Sequence, residues 1–189
     1  GIFNSSSITF PSSIMPYNTT LIRKGNGTNV FLAKYLDLGT TVQLLWSLNM
    51  GNDQRMQISD LDIDNSGNPV IIGVFTNEIN FDPITNTIGA VNNNRVEDFY
   101  LAKYDKAIGN LIWVKTLSSA TTSGGAYPLG VSIDPNIDSI YVVGQFSNSV
   151  DFDNNALLEL TGGPIGATAP FVAKFNTDGL CSWAYPIIN

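Results

Sequence analysis

Three aspartates alternate along one short segment and have the spacing that most resembles a metal site in this chain. Asp60, Asp62 and Asp64 lie two residues apart and are followed by Gly67. Oxygen ligands at this spacing can surround a hard cation, so the three carboxylates are candidate ligands for calcium. The acidic residue that closes an EF-hand loop is missing, because the twelfth position counted from Asp60 is Ile71. The interpretation that these residues favour is a strand with a polar face that ends in an Asx turn.

The chain contains no histidine, and this excludes several catalytic mechanisms within it. Ser-His-Asp and Cys-His arrangements and histidine-ligated zinc cannot be built from its residues. Two carboxylates, Asp151 and Asp153, flank Phe152, but the equivalent positions of an internal repeat hold other residue types, which favours a loop motif over a catalytic pair. The single cysteine, Cys181, is predicted to be a small buried thiol. We therefore expect no enzymatic activity and no cofactor beyond the calcium.

Two tyrosines and three lysines are further candidates for ligand contacts. Tyr17 and Tyr127 are predicted to lie in loops, and they are the residues we expect to contact a glycan or another small ligand. Lys34, Lys103 and Lys174 recur at one position of the repeat. Strand alternation predicts that these lysines face solvent beside a buried alanine, and a ring of anion-binding lysines is the alternative.

Composition indicates an all-β fold. Of the 189 residues, 43% are hydrophobic and only 13% are charged, and the polar residues are largely Asn, Ser, Thr, Asp and Gly, which favour turns and strand edges over helices. The net charge of −7 repels phosphate backbones, so no nucleic acid is expected as a partner. The apolar runs are far shorter than the roughly 20 residues of a membrane-spanning helix, so no membrane insertion is expected.

Three landmarks recur along the chain with a period near 71 residues. They are a Gly-x-Phe, an apolar-x-Phe, and an Ala-Lys pair followed by an aromatic residue, a glycine and a tryptophan. These landmarks begin at Gly1, Gly73 and Gly144, at Ile8, Ile79 and Val150, and at Ala33, Ala102 and Ala173. Repetition at this length is typical of repeat architectures. Gly39 precedes Trp46 by seven residues where the other copies have a spacing of four, which predicts a longer hairpin loop in the first copy.

Each complete copy has the pattern of four strands. The predicted strands are 56–63, 69–75, 98–104 and 111–117 in the second copy, and 130–134, 139–146, 171–175 and 180–185 in the third. A four-stranded sheet with two apolar faces is not stable alone and must stack on its neighbours. Radial stacking of such sheets forms a β-propeller. We therefore expect an all-β partial β-propeller of about two and a half four-stranded antiparallel blades.

The repeated segments "INFDP…DFYLAKYD…GNLIW" and "VDFD…PFVAKFNTDGLCSWA" resemble the SBBP-type β-propeller repeat. The resemblance extends over essentially the whole chain. It implies a bladed scaffold of a secreted, cell-surface or virion-surface protein without common catalytic residues. The chain departs from the pattern at "DLGTTVQLLW" in the first copy and at "VSIDPNIDS" in the third, which lacks the turn glycine.

We interpret the chain as a single repeat array of three blades. Residues 1–55 form an incomplete first blade, 56–125 the second and 126–189 the third. Closed propellers contain about four to eight blades. We therefore expect either further blades of a longer chain or other protein chains to cover the open edges of the array.

These expectations lead to a non-enzymatic structural or adhesion module on a cell or virion surface or in an extracellular assembly. The strands would form a rigid scaffold, and the long loops 11–29, 82–97 and 153–169 would contact partners. The alternative is a lectin-like module that binds a glycan or another small ligand. Hydrolase or lyase activity on polysaccharides has no support from the residues.

Overall fold

The computed structural model describes residues 1–12, 19–51, 53–83, 89–91, 97–117, 125–153, 158–161 and 168–187. Within these ranges the secondary structure consists of antiparallel strands and turns, without a helix, and this confirms the all-β prediction. The described residues accordingly contain no helical segment that could span a membrane.

The first sheet has three main strands in the order β1-β4-β5, and a two-stranded ribbon, β2-β3, accompanies it. The bounds are β1 Ile2–Phe3, β2 Ser7–Phe10, β3 Thr19–Ile22, β4 Asn29–Asp37 and β5 Val42–Met50.

The second sheet has four strands in the order β11-β10-β7-β6, and its ribbon is β8-β9. The bounds are β6 Met56–Ile63, β7 Pro69–Phe75, β8 Glu78–Asn80, β9 Gly89–Val91, β10 Asp98–Tyr104 and β11 Leu111–Leu117. The four main strands coincide with those predicted from the sequence.

The third sheet repeats this arrangement in the order β12-β13-β16-β17, and its ribbon is β14-β15. The bounds are β12 Gly125–Ile133, β13 Ile140–Ser147, β14 Ser149–Asp151, β15 Glu159–Thr161, β16 Ala169–Phe175 and β17 Cys181–Pro186. Strand β12 begins five residues before the predicted start at residue 130.

The second sheet is covered on both faces, and two apolar cores result. All residues of β7 and β10 are buried, as the continuous apolar run at 69–75 predicts. One face contributes Ile71, Phe75, Tyr100 and Tyr104 to a core that includes Val30, Leu32, Leu48 and Met50 of the first sheet. The opposite face contributes Val70, Ile72, Phe99 and Leu101 to a core with Val142, Phe146, Phe171 and Phe175 of the third sheet. The sheets therefore stack face to face in chain order.

The apolar-x-Phe landmark anchors each ribbon to its main sheet. Its phenylalanine packs against the aromatic residue at the same position of the third strand in every copy. The ring centroids of the pairs Phe10–Phe31, Phe81–Tyr100 and Phe152–Phe171 are 5.1, 5.0 and 5.1 Å apart. The sequence predicted only long loops here. Short ribbons form because the buried phenylalanine fixes one strand and leaves its backbone groups to pair with the returning chain.

The predicted longer hairpin loop of the first copy is wrong. Residues 38–41 form a short connection, and the additional residues lengthen both strands instead, since Tyr35 pairs with Leu44 and Asp37 with Val42. The connections 105–110 and 176–180 of the other copies are longer. The β4–β5 hairpin therefore extends further along its strand direction than the equivalent hairpins.

Burial of Asp98 at the start of β10 gives a prediction about stability and pH. Asp98 is 5% exposed, and this desolvation raises the pKa of its carboxyl from 3.8 to about 6. The folded state therefore binds this proton more tightly than the unfolded chain does. The protonated carboxyl contributes stability that is complete below about pH 4 and is lost as the pH rises through about 6.

We expect Asp98→Asn to be more stable than the wild type at pH 8, by on the order of 1–3 kcal/mol, with a difference that narrows below about pH 4. Urea unfolding at a series of pH values measures this difference. Asp178→Asn, a change at an exposed turn residue, is the control and should leave the urea midpoint nearly unchanged. A destabilised Asp98→Asn variant at pH 8 would contradict the argument.

Candidate functional site

The tryptophans of the repeat connect each sheet to the next. The indole nitrogen of Trp46 in β5 donates to the carbonyl oxygen of Lys106, at 3.1 Å, in the β10–β11 turn. The indole nitrogen of Trp113 in β11 donates to the carbonyl oxygen of Thr177, at 3.0 Å, in the β16–β17 turn. Each tryptophan thus binds the turn of the following sheet. Trp183 contacts aromatic rings of its own sheet instead.

The glycines of these turns are required by the tryptophans. Gly109 and Gly179 adopt positive φ angles of 77° and 73°, which disfavour other residues. A Cβ atom on Gly109 would lie 3.0 Å from Cε3 of Trp46, and one on Gly179 would lie 2.8 Å from Cζ3 of Trp113. Gly39 has a similar φ of 87°, but a Cβ there would meet no atom within 4 Å. In two of the three copies the glycine therefore allows both the backbone conformation of the turn and the close approach of the tryptophan.

Asp60 and Asp62 connect the edge strands of the second and third sheets. The Oδ2 atoms of Asp60 and Asp62 accept hydrogen bonds from the backbone N–H groups of Val131 and Ile133, at 2.9 and 2.7 Å. Their Oδ1 atoms each accept from the N–H group of the following residue, at 2.8 Å. Because β12 is at the edge of its sheet, these amides have no partner strand. The alternating carboxylates supply the missing acceptors.

Asp64 forms a buried ion pair. Its Oδ2 atom lies 2.7 Å from Nζ of Lys103, and the two side chains are 5% and 11% exposed. Desolvation raises the pKa of the Asp64 carboxyl, but the hydrogen bonds from Lys103 and Asn68 outweigh it, so the pKa lies below its ordinary value. The carboxylate is therefore charged and fully engaged in the fold.

The predicted calcium ligands are thus not brought together. Asp60 and Asp62 accept from β12, whereas Asp64 pairs with Lys103, and the described residues contain no cluster of three or more potential metal ligands. Calcium binding stays a prediction for which this arrangement offers no converging set of oxygens. The sequence analysis missed the contact of Asp60 and Asp62 with β12. Such a contact is expected on physical grounds, because edge-strand amides need acceptors wherever a neighbouring strand cannot pair with them.

The prediction of solvent-facing lysines is wrong for Lys103, which is buried against Asp64. Lys34 donates through Nζ to the carbonyl oxygen of Lys106, at 2.7 Å, beside Trp46. Lys174 lies over the ring of Tyr141, 5.6 Å from its centroid. The three lysines share one strand position but have three different partners, so they do not converge on an anion.

Of the two tyrosines proposed as ligand contacts, Tyr17 lies outside the described residues. Tyr127 was predicted in a loop, but it is a half-buried residue of β12 paired with Gln145. The prediction was wrong about its environment because β12 starts earlier than its apolar pattern indicates: Pro128 and Gly130 interrupt that pattern at a bulge.

The Asp151 and Asp153 pair has the geometry of a turn. Oδ1 of Asp151 accepts from the backbone N–H of Asp153 at 3.0 Å, and Oδ1 of Asn80 accepts from that of Asp82 at 2.9 Å in the second copy. The same hydrogen bond in two copies agrees with the loop motif predicted from the sequence. Cys181 is half-buried, and burial raises the pKa of its thiol to about 12, so the thiol stays protonated at neutral pH.

A cavity of about 300 Å³ lies between the first and second sheets. Trp46 and Lys34 line it from the first sheet, and Leu61, Ile63 and Pro69 line it from the second. Leu61 and Ile63 are 40% and 55% exposed. Apolar walls with an indole ring and one ammonium group could hold a small ligand of moderate polarity.

No protein-family model matches this chain, and no curated protein shows a significant match. The resemblance to SBBP-type repeats therefore rests on the repeated residues alone.

The carboxylate bridge predicts a specific loss of stability. We expect Asp62→Ala to lower the free energy of unfolding by about 1–3 kcal/mol, because it leaves the Ile133 amide without its acceptor. Chemical denaturation measures this change. Asp178→Ala at an exposed turn is the matched control and should change stability by less than about 0.5 kcal/mol. Equal effects of the two substitutions would show that the bridge does not stabilise the fold.

The turn glycines allow a paired test of the tryptophan contact. Gly179→Ala and Gly39→Ala both place a side chain at a positive φ, but only the first also forces a Cβ into Trp113. We expect Gly179→Ala to cost about 1–3 kcal/mol more than Gly39→Ala, because the excess reports the overpacking alone. Thermal unfolding of the two variants gives the comparison. If both variants lose the same stability, the close approach of residue 179 to Trp113 imposes no steric cost on a side chain there.

Proposed function

We propose that this chain is a non-enzymatic structural or adhesion module, built as a partial β-propeller of SBBP-like blades. The observation that supports this proposal most strongly is that residues repeated in the sequence form contacts between neighbouring sheets. Trp46 and Trp113 bind equivalent turns, and each of these contacts joins one sheet to the following one. A sequence that repeats its contacts between neighbours in this way favours an array of blades over an enzyme with one distinct centre.

The position of the edge strands supports a radial arrangement of the sheets. β6 and β12 are the corresponding first strands of two copies, and Asp60 and Asp62 join them directly. In a propeller the corresponding strands of adjacent blades lie side by side around a central channel. The chain would accordingly be a segment of such a ring, with residues 1–55, 56–125 and 126–189 as its blades.

The acidic residues that could act in catalysis or metal binding instead form hydrogen bonds and an ion pair within the fold. Asp60, Asp62 and Asp64 are acceptors for backbone and lysine donors, and the Asp151 carboxylate closes a turn. This supports a scaffold role. The resemblance to SBBP-type repeats leads us to propose a secreted, cell-surface or virion-surface assembly as its setting. The loops 11–29, 82–97 and 153–169 would contact other protein chains, because they vary in sequence while the strands repeat.

A second candidate function is supported by the cavity between the first two sheets. Its volume of about 300 Å³ and its indole wall at Trp46 would suit a sugar or another small ligand. Under this alternative the chain is a lectin-like binding module, and Tyr17 and Tyr127 are further candidate contacts.

A glycan array distinguishes the two functions. The structural proposal predicts no concentration-dependent glycan signal for the wild-type chain. Binding that is lost in Leu61→Trp, which would fill the cavity, or in Tyr17→Ala or Tyr127→Ala would establish the lectin-like alternative instead. Ile22→Trp is the matched control for a new exposed indole, because Ile22 is 66% exposed and lies on a ribbon away from the cavity.

A further inference from the structure

We infer that the outer face of the third sheet binds the outer face of the first sheet in a second copy of this chain. This inference rests on the proposed propeller and identifies the partner chain as a second copy of the protein.

The outer face of the third sheet is equivalent to a face of the second sheet that is buried along its two central strands, β7 and β10. Ile72 pairs with Leu101 and Lys103 with Trp113 in the second sheet. Val143 pairs with Val172 and Lys174 with Trp183 at the same register of the third sheet. Ile72 is 0% exposed beneath the third sheet, whereas Val143 is 47% exposed. The outer face of the third sheet thus has residues at the positions that contact a neighbouring sheet in the second sheet, but no sheet covers them within the described residues.

The tryptophan of this face also lacks its usual acceptor. Trp46 and Trp113 each donate to a turn carbonyl of the following sheet. Trp183 makes no such hydrogen bond within the described residues and lies beside Tyr141 and Tyr185, with ring centroids 6.2 and 5.5 Å away. Tyr185 is 62% exposed. An aromatic cluster of this kind, with a free indole donor, is typical of the centre of a protein interface.

The first sheet presents the complementary face. Tyr35 follows the same bulge as Tyr104 and Phe175, which are 0% exposed and contact the preceding sheet. The hydroxyl oxygen of Tyr104, for example, lies 2.7 Å from Sδ of Met50 in the first sheet. Tyr35 is only half-buried, because no preceding sheet covers it within the described part of the chain.

The extended β4–β5 hairpin lies where Trp183 of the other copy would dock. In the two internal contacts the tryptophan meets the connection that follows Tyr104 or Phe175. In the first sheet this place is occupied by the additional strand residues, among them Val42, which is 38% exposed and shares the face of Tyr35. Burial of these side chains by an aromatic cluster would add apolar area to the contact.

The two faces are different surfaces of one chain, so their contact is heterologous. Two copies would bring six sheets together, two of them the incomplete three-stranded first sheet, and a ring of six lies within the usual range of about four to eight blades. Such a ring closes with two equivalent contacts and would leave neither face exposed. We therefore expect a closed dimer instead of an open filament.

Sedimentation velocity of the full chain tests this inference. We expect a concentration-dependent monomer–dimer equilibrium for the wild type. Val143→Lys on the third sheet and Tyr35→Lys on the first should each raise the dissociation constant at least about a hundredfold, since the contact would bury an unpaired ammonium group. Ile22→Lys, a change at a more exposed ribbon residue, should leave it unchanged. Circular dichroism verifies that each variant is folded.

Mixing the two variants tests the heterologous geometry. Val143→Lys retains an intact first sheet and Tyr35→Lys an intact third sheet, so their mixture should form a dimer through one intact contact while neither associates alone. A wild-type chain that stays monomeric up to about 500 μM would overturn the inference, as would a mixture without dimers. Small-angle scattering of that monomer would still reveal whether its three sheets are radially arranged, so the proposed propeller is tested separately.

Discussion

The second sheet has two apolar faces, and the rest of the structure depends on covering both. Every residue of β7 and β10 is buried, so neither face can be exposed to water without a large loss of hydrophobic free energy. The first and third sheets provide the cover through two separate cores. This requirement explains why the chain repeats a structural unit with a period near 71 residues, because a sheet that needs two neighbours is satisfied most simply by copies of itself.

Directional contacts then select one arrangement among the many that hydrophobic burial would permit. The hydrophobic free energy of burial is non-directional, so it changes little when one sheet is rotated against the next. The tryptophan bond to the following turn and the carboxylate bond to the following edge strand each require one register. Their individual energies are small beside the burial term, but their directionality helps to distinguish correct from incorrect stacking. The repeated glycines belong to the same system, since they leave space for the indole rings.

The architecture could be predicted from the sequence to a large extent, and the contacts of particular polar residues could not. Repetition of Phe, Ala and Trp indicated strands and stacking because these residues are buried or half-buried in every copy. Lys103 was predicted to face solvent, since alternation describes one isolated strand, while its burial depends on a second sheet and on Asp64. Asp60 and Asp62 were predicted to lie on a polar strand face, with calcium binding as the other candidate role. Their role as acceptors between sheets was missed because their partners are backbone amides 71 residues away in the chain.

The contrast between Lys34, Lys103 and Lys174 shows where differences in function can arise on such a scaffold. One strand position supports a hydrogen bond to a turn carbonyl, a buried ion pair and a contact with an aromatic ring, without any change in the sheets that carry it. The backbone arrangement is therefore maintained by the apolar and aromatic positions, and the polar positions are free to adapt to whatever lies against them. Residues that recognise a partner should accordingly be found where a repeated position lacks its usual neighbour, as Val143 and Trp183 do, and not where the repeat is satisfied internally.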